Sequence, residues 1–435
     1  MPLLFLPCAG GVEALLADEV RRIAEAARAP AAATVEAGRG GVFVDGDEAL
    51  AMRLNLESRL AQRVLWPLAH GPYRDEHALY ALAREVPWGR WINPQQTLKV
   101  DVSARNSPLK SLNFAALRIK DAVCDTLREA TGARPSVDTR TPDLPLALFV
   151  GESEAALYAD LSGAPLFKRG WREDTGEAPL KETLAAAMLA AAGWQGRAED
   201  GPLLDPCCGA GTIAIEAAQL ACGIAPGAMR RFAFERLAPF AAHMPAWRAM
   251  QQAARARVHA PAVPVFAGDV SFRMTDFAAR NAERAGVARA IEFKTADALQ
   301  RTAPAAVGTI VMNPPYGERI GAKGRGHGAD AGGERNEARN DARTEARTDA
   351  RTEARSGARQ GFDGGGTPAE FFAALATHWK RHYGGWTAWV LSPEMKLPGL
   401  MRLKETRRVP LWNGPIECRM FRFDITALAP RAPDA

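Results

Sequence analysis

Two rhythms of hydrophobic and polar positions run along the chain, and the change between them falls near residue 165. Before that point, short strand-like runs mix with amphipathic helices. Leu3–Leu6 reads as a strand, and residues 13–27 set Leu15, Leu16, Val20 and Ile23 at helical spacing. Residues 40–44 predict a second strand and residues 47–60 a second helix, so the first 60 residues form a small α+β unit. In the next module of roughly 90 residues, Thr97–Val102 alternates as a strand. Residues 112–129 predict a helix that buries Ala116, Ile119, Val123 and Leu127 and leaves Lys110, Arg118 and Lys120 free. Two further strands are expected at Ala147–Val150 and Ala155–Asp160.

After residue 165 strands and helices alternate, which is the signature of a parallel sheet with crossover helices. Helices are predicted over 181–192, 212–222 and 272–285. Strands are predicted at Pro202–Asp205, Val263–Ala267, Ile291–Lys294, Val307–Met312 and Trp386–Ser392. The end carries Arg407–Trp412, then Asn413-Gly414, then Ile416–Phe423. Asn-Gly between two strand-like runs predicts a hairpin, since both residues tolerate positive φ. The fold class expected is a Rossmann-like α/β domain, its sheet mostly parallel with a C-terminal antiparallel hairpin, preceded by an α+β module.

Composition narrows this picture in a few ways. A chain of 435 residues with 47% hydrophobic and 24% charged residues can form two or three globular cores. The formal charge of +5 is compatible with nucleic acid without arguing for it. Between Lys99 and Arg140 eight basic residues face five acidic ones, a local excess of three that also fits an ordinary solvated surface. The six cysteines include no CxxC pair, which argues against a disulfide framework or zinc knuckle. The N-terminus lacks a basic leader segment, and no apolar stretch approaches the roughly 18 residues of a spanning helix. A cytoplasmic protein with no membrane partner is expected. Residues 321–366 depart from the surrounding order. They are rich in Gly, Arg and acids, with like charges four apart and no aliphatics to bury, and predict a disordered insertion. Seven Arg against five acids across 335–359 give little support to an RNA-touching arm.

The candidate chemistry sits at strand ends. Asp205-Pro206-Cys207-Cys208-Gly209-Ala210-Gly211-Thr212 ends a strand in a glycine turn that a ligand can approach closely. A glycine pair alone also fits a dinucleotide site or a structural turn. Asp269 ends the next strand, where an acid can hold ribose hydroxyls, and Asp297 with Ala298 ends the following one, near an adenine edge. Each acid alone also fits a helix cap. No Lys or Arg lies in the turn, which favours a nucleoside such as S-adenosylmethionine over NAD. The candidate cofactor set is Asp205, Cys207, Gly209, Gly211, Thr212, Asp269, Asp297, Ala298 and Asn313.

Asn313-Pro314-Pro315-Tyr316 follows a fourth strand and forms the candidate catalytic set. An exocyclic amine is a poor nucleophile because its lone pair is delocalised into the ring. The Asn313 oxygen and the Pro314 carbonyl can accept its hydrogens and stabilise the charge that develops on methyl transfer. The prolines fix the loop, and Tyr316 offers a stacking face worth roughly 1–3 kcal/mol. No general base is required, because the product ammonium loses its proton readily. His378 and His382 lie one helical turn apart without an acid to complete a metal motif. Trp88, Trp91, Trp171 and Trp194 read as core, and Cys207-Cys208 as small-residue packing.

These residues resemble the THUMP-containing class I RNA methyltransferases, and most of all the bacterial RlmL group of large-subunit rRNA guanine-N2 methyltransferases. The marks are Lys168-Arg169-Gly170-Trp171-Arg172, Gly176-Glu177-Ala178-Pro179-Leu180-Lys181-Glu182, and 205–212 continuing into Ile215-Glu216-Ala217-Ala218. Further marks are 223–227 with 231–234, Asn281-Ala282-Glu283-Arg284-Ala285-Gly286, and 313–319. The resemblance covers nearly everything except 321–366 and the last few residues. It implies a ferredoxin-like domain at 1–60, a THUMP domain at 61–158 that docks RNA, and a methyltransferase domain at 159–435. It carries cofactor roles onto Asp205, Gly209, Gly211, Asp269 and Asp297, and amine binding onto residues 313–316. Lys99, Arg105, Lys110, Arg118 and Lys120 are the RNA-contact candidates. Some members carry a second methyltransferase domain after the first; this sequence stops before one, so a second activity is not expected here. The expected function is S-adenosylmethionine-dependent methylation of a guanosine N2 amine in 23S rRNA or a large-subunit assembly intermediate, with no obligate protein partner. A tRNA guanine is the nearest alternative, ahead of protein glutamine or DNA methylation and of a non-catalytic RNA-binding assembly factor.

Overall fold

The computed structural model describes residues 1–27, 34–176, 179–315 and 367–427, and structural statements here concern those residues. Residues 321–366, the expected disordered insertion, lie outside them. The chain forms two compact units, Met1–Gly170 with Gly223–Val258, and Trp171–Cys222 with His259–Ala435.

The first unit is built on one eight-stranded sheet. Its strands are β1 (Leu3–Pro7), β2 (Val35–Gly38), β3 (Gly41–Asp45), β4 (Leu65–Pro72), β5 (Thr97–Ala104), β6 (Ser136–Val137), β7 (Leu144–Val150) and β8 (Glu154–Asp160). They lie in the order β2-β3-β1-β4-β8-β7-β5-β6. Among the described residues five α-helices complete this unit: α1 (Glu13–Ala26), α2 (Glu48–Glu57), α3 (Glu76–Arg84), α4 (Leu112–Thr131) and α7 (Met244–Ala256). Side chains fix the helix starts, because Asp47, Asp75 and Ser111 each accept the third N–H of the following helix. The α4 stripe is turned slightly from the expected one. Ala115, Ile119, Ala122, Val123 and Leu127 are buried, and Ala116 is only partly so.

Several elements here escape a periodicity reading. The β2 strand is short and exposed at the sheet edge. The β4 run contains Pro67, and its register slips between Pro67 and Ala69. Only Phe5↔Leu65 pairs it with β1, so most of that flank needs no N–H donor. The segment Gly223–Val258 clusters with this unit through backbone capture. Arg230 donates to the carbonyls of Ser162, Ala164, Pro165 and Lys168, and Gly227 N–H donates to Leu56 O at 2.9 Å. Phe232, Phe234, Phe240 and Trp247 form one aromatic cluster beside them.

The second unit holds a seven-stranded sheet of β9 (Leu203–Asp205), β10 (Val265–Asp269), β11 (Ile291–Thr295), β12 (Thr309–Met312), β13 (Thr387–Ser392), β14 (Arg407–Asn413) and β15 (Ile416–Asp424). Its order is β11-β10-β9-β12-β13-β15-β14. The first five strands are parallel to one another, while β15 runs antiparallel to both β13 and β14. The sheet is therefore mostly parallel with an antiparallel C-terminal hairpin, as the sequence predicts. Its helices are α5 (Glu182–Ala192), α6 (Thr212–Ala221), α8 (Phe272–Arg284), α9 (Pro368–His382) and α10 (Leu397–Met401). The hairpin turn differs in detail. Asn413 pairs with Ile416 and so belongs to β14, and the two turn residues are Gly414, at φ +59°, and Pro415. Positive φ at the first central residue alone fits a type II′ turn, with proline at the second position, where φ is negative. Among the described residues, no helix is long and apolar enough to cross a membrane.

Candidate active site

Strand order reverses at β9, which has β10 on one side and β12 on the other. Crevices at the carboxyl ends of strands at such a switch point are where open α/β sheets bind ligands. There β9 runs into Asp205 and the glycine turn. Gly209 and Gly211 take φ of +51° and +89°, values that disfavour side chains, and Gly211 caps α6. A Cβ on Gly211 would lie 2.9 Å from the Ala278 Cβ, so glycine also permits the close approach of α8. A Cβ on Gly209 would meet nothing within 4 Å, in keeping with its place on a cavity wall. The turn is tied to the next strand by Cys208 N–H donating to Gly268 O at 2.7 Å and Gly209 N–H to Asp269 Oδ2 at 3.0 Å.

The cavity beside this turn encloses about 440 Å³ of atom-free space, part of it open solvent. Asp205, Cys207, Gly209, Thr212 and Asn313 line it, so five of the predicted site residues come together. Arg172, Gly176 and Met274 line it as well, and they were not among the candidates. Three lining residues carry a buried side-chain atom with no hydrogen-bond partner: Arg172 Nη1, Asp205 Oδ2 and Asn313 Oδ1. A third of the nine such atoms in the described residues thus face one small region. Leaving a buried polar atom unpaired costs about 1–3 kcal/mol, so the clustering marks a place where a ligand supplies the partners.

Electrostatics sharpen the site. Asp205 is 1% exposed, and the one described bond of its carboxylate is a 3.3 Å acceptance from Cys207 N–H. Burial pushes its carboxyl well above the ordinary range, and the neighbouring Asp269 adds to this while Arg301 opposes it. Burial also pushes the Cys207 thiol up, and the carboxylates of Asp205, Asp269 and Asp297 act on it in the same direction. The three acids from the ends of β9, β10 and β11 therefore gather around Cys207. Neither Asp269 nor Asp297 lines the cavity itself. Asp269 accepts the N–H groups of Gly209 and Ser271, and Asp297 accepts Leu299 N–H at 2.8 Å. Gly211 and Ala298 also stand behind the wall, Ala298 within the core of the sheet. Pro314 is buried, Pro315 is half-buried, and Tyr316 lies outside the described residues.

Arg172 reaches the cavity on an irregular strap, residues 171–176, pinned from α8. Asn281, fully buried, donates to Asp174 O at 2.9 Å and to Ala210 O at 3.1 Å, so one amide holds both the strap and the glycine turn. Arg284 donates to Trp171 O and to the Asp174 carboxylate. The available signal was a polar Asn281 set between Ala278 and Ala282 on the apolar face of a helix.

The other candidates resolve as follows. Trp88, Trp91, Trp171 and Trp194 are buried. Among the described residues His378 meets no acid, and its ring lies against Arg301 O at 2.7 Å. Arg118 and Lys120 are not free, since both pair with Asp121, at 3.7 and 2.8 Å, and Lys99 pairs with Asp101 at 3.0 Å. Arg105 and Lys110 are exposed.

A glycine turn and an Asn-Pro-Pro loop at the switch point of a mostly parallel sheet closed by a hairpin define a class I methyltransferase domain. Comparison with known proteins matches successive parts of the chain to three domains. Residues 3–65 match the RlmL ferredoxin-like domain, residues 73–160 the THUMP domain, and residues 169–328 the RMKL-like methyltransferase domain. The three matches follow one another along the chain. Ribosomal RNA large subunit methyltransferase K/L of Shewanella pealeana is 31% identical over 408 residues, 93% of this chain and 51% of that protein. The chain thus spans about half the length of this relative. Among solved structures, a possible methylase from Clostridium difficile 630 superposes with a TM-score of 0.75 at 23% identity, over 99% of this chain and 100% of the other. SMU.472, solved in complex with SAH, superposes with a TM-score of 0.75 at 22% identity, over 98% and 99%.

Proposed function

We propose that the protein is an S-adenosylmethionine-dependent RNA methyltransferase that modifies the exocyclic N2 amine of a guanosine in large-subunit rRNA, in the cytoplasm. The observation that carries this reading is the cluster of unpaired buried atoms at the β9 switch point, a donor on Arg172 and acceptors on Asp205 and Asn313. S-adenosylmethionine fits that donor set, because its amino-acid tail carries an ammonium, its ribose two hydroxyls and its tail a carboxylate. Asp205 Oδ2 is the natural acceptor for the ammonium, and the open space over Gly209 admits the ligand backbone. Likeness to a fold solved with SAH supports the same reading. When bound, the cofactor supplies an electrophilic methyl group.

The chain's own residues then have distinct tasks. Asn313 Oδ1, buried and without a partner, accepts one amine hydrogen, and the Pro314 carbonyl accepts the other. Drawing both hydrogens into acceptors favours a pyramidal nitrogen with an available lone pair and stabilises the positive charge that follows. Proline at 314 and 315 holds the loop so that little reorganisation accompanies the reaction. Tyr316 serves as the stacking face for the extruded base. The module at about 61–158 docks the RNA, with exposed Arg105 and Lys110 as phosphate contacts ahead of the acid-paired Lys99, Arg118 and Lys120.

The test is methyl transfer from labelled S-adenosylmethionine to unmodified 23S rRNA, bulk tRNA and protein, followed by nucleoside analysis. Label recovered as N2-methylguanosine in 23S rRNA is the expected result. Label in tRNA alone would move the substrate and keep the chemistry, and label in protein alone would overturn the RNA reading.

A further inference from the structure

We propose that Arg172 is the residue that recognises the carboxylate of the cofactor's amino-acid tail. This rests on the reading of the cavity as an S-adenosylmethionine site. Among the described residues lining that cavity, Arg172 is the one cation and Asp205 the one anion. A zwitterionic tail needs both. With Asp205 taken by the ammonium, the carboxylate must turn to the other wall.

The guanidinium is already fixed in place there. Its Nε donates to Glu182 Oε1 at 2.7 Å, and its Nη2 donates to Leu180 O at 3.2 Å and Thr212 Oγ1 at 2.8 Å. The Trp171 ring lies under it, with the guanidinium carbon 5.0 Å from the centroid. Those contacts use Nε and Nη2 and leave Nη1 buried with no acceptor. Neutralising the buried Glu182 therefore does not account for the whole group. Thr212 is the first residue of α6, so the same corner of the cavity also receives the positive end of a ten-residue helix. A pre-oriented planar donor at a helix N-terminus suits a carboxylate, and a lysine would not reproduce the three-point anchoring. The strap carrying Arg172 is held by Asn281, Arg280 and Arg284, which gives those residues a task in ligand binding through position alone.

The proposal is tested by calorimetry with two ligands, S-adenosylmethionine and its decarboxylated analogue, on the wild type and Arg172→Gln. The wild type is expected to prefer the carboxylate-bearing ligand by roughly 10- to 150-fold, the range for a hydrogen bond to a charged group. Arg172→Gln is expected to bring that preference within about threefold. If Arg172→Gln does not fold, Arg172→Met, which keeps the stem, carries the same comparison. Equal weakening of both ligands in the variant would overturn the assignment and leave Arg172 a structural partner of Glu182. Wild-type binding of both ligands without discrimination would also overturn it, while leaving the cofactor reading intact. Wild-type binding of neither would overturn the cofactor reading itself.

Discussion

Asp160 and Asp205 are each the last residue of a strand, β8 and β9, and each is almost wholly buried, at 3% and 1% exposure. Their surroundings are opposite. Asp160 accepts the N–H groups of Ser162 and Gly163 and pairs with Arg63, so its carboxylate is satisfied within the first unit. Asp205 has one described N–H donor, an unpaired Oδ2 and a like charge, Asp269, as its neighbour. Burial raises both carboxyls, but Arg63 and two backbone N–H groups pull Asp160 back, and Asp205 is left well above its ordinary value. Position and burial therefore do not distinguish a structural acid from a functional one. Hydrogen-bond satisfaction separates the two, and it supports the ligand-binding role proposed for Asp205, because a fold does not keep an unmet buried carboxylate for stability.

The comparison breaks most visibly at Asp160. Asp160→Ala leaves the Arg63 charge without its counter-ion and two backbone donors without an acceptor, and since Arg63 keeps the Gly163 carbonyl and some solvent contact the expected loss is about 3 kcal/mol, read from denaturant unfolding. A loss below about 1 kcal/mol would mean that the network contributes little.

Asp205→Asn should behave in the opposite sense. Ligand-free stability is expected within about 1 kcal/mol of wild type, or above it, while S-adenosylmethionine affinity falls roughly 10- to 150-fold. The pH dependence follows from the same carboxyl. Its folded-state pKa lies above the ordinary 3.8, so between the two values the native state keeps a proton that the unfolded chain has released. That contribution to stability is complete below 3.8 and is lost as pH rises through the folded-state value. Asp205→Asn should remove this part of the decline in a series of melting curves. Binding an ammonium favours the ionised form, so cofactor affinity should rise with pH over the same window, with proton release detectable in buffers of different ionisation enthalpy. Equal pH profiles for the two proteins would remove Asp205 from the account.

The smallest effects sharpen the comparison at the two turn glycines. Gly211→Ala meets Ala278 in a left-handed conformation and should cost roughly 1–3 kcal/mol of stability. Gly209→Ala meets nothing in the protein and should cost about 1 kcal/mol, yet weaken cofactor binding about tenfold because its methyl enters the cavity. A larger stability cost at Gly209 than at Gly211 would reverse the assignment of wall and packing surface.

Much of the candidate site's geometry was legible because its signals are local. Asp205, Gly209, Thr212 and Asn313 sit in short runs whose composition shows a strand ending in a turn, and all four line the cavity. Asp269 and Asp297 were legible as strand-end acids, but their carboxylates also bond nearby backbone, which spacing does not reveal. Arg172 was harder to see. It lies on a strap without periodicity, and its anchor Asn281 is about a hundred residues away in the chain. In the fold, β4 hides behind Pro67, and α7 behind an Ala- and Arg-rich run that buries only Trp247 and Ala254. The hairpin turn moved by one residue because Gly414-Pro415 satisfies a single positive φ without help from Asn413.

The most direct measurement compares wild type with Asn313→Ala for S-adenosylmethionine affinity by calorimetry and for methyl transfer to 23S rRNA. The expected result is a dissociation constant within about threefold of wild type and a turnover lower by roughly 10²–10³. Unchanged turnover, or a loss explained entirely by weaker cofactor binding, would contradict the assignment of Asn313 as the acceptor that activates the amine.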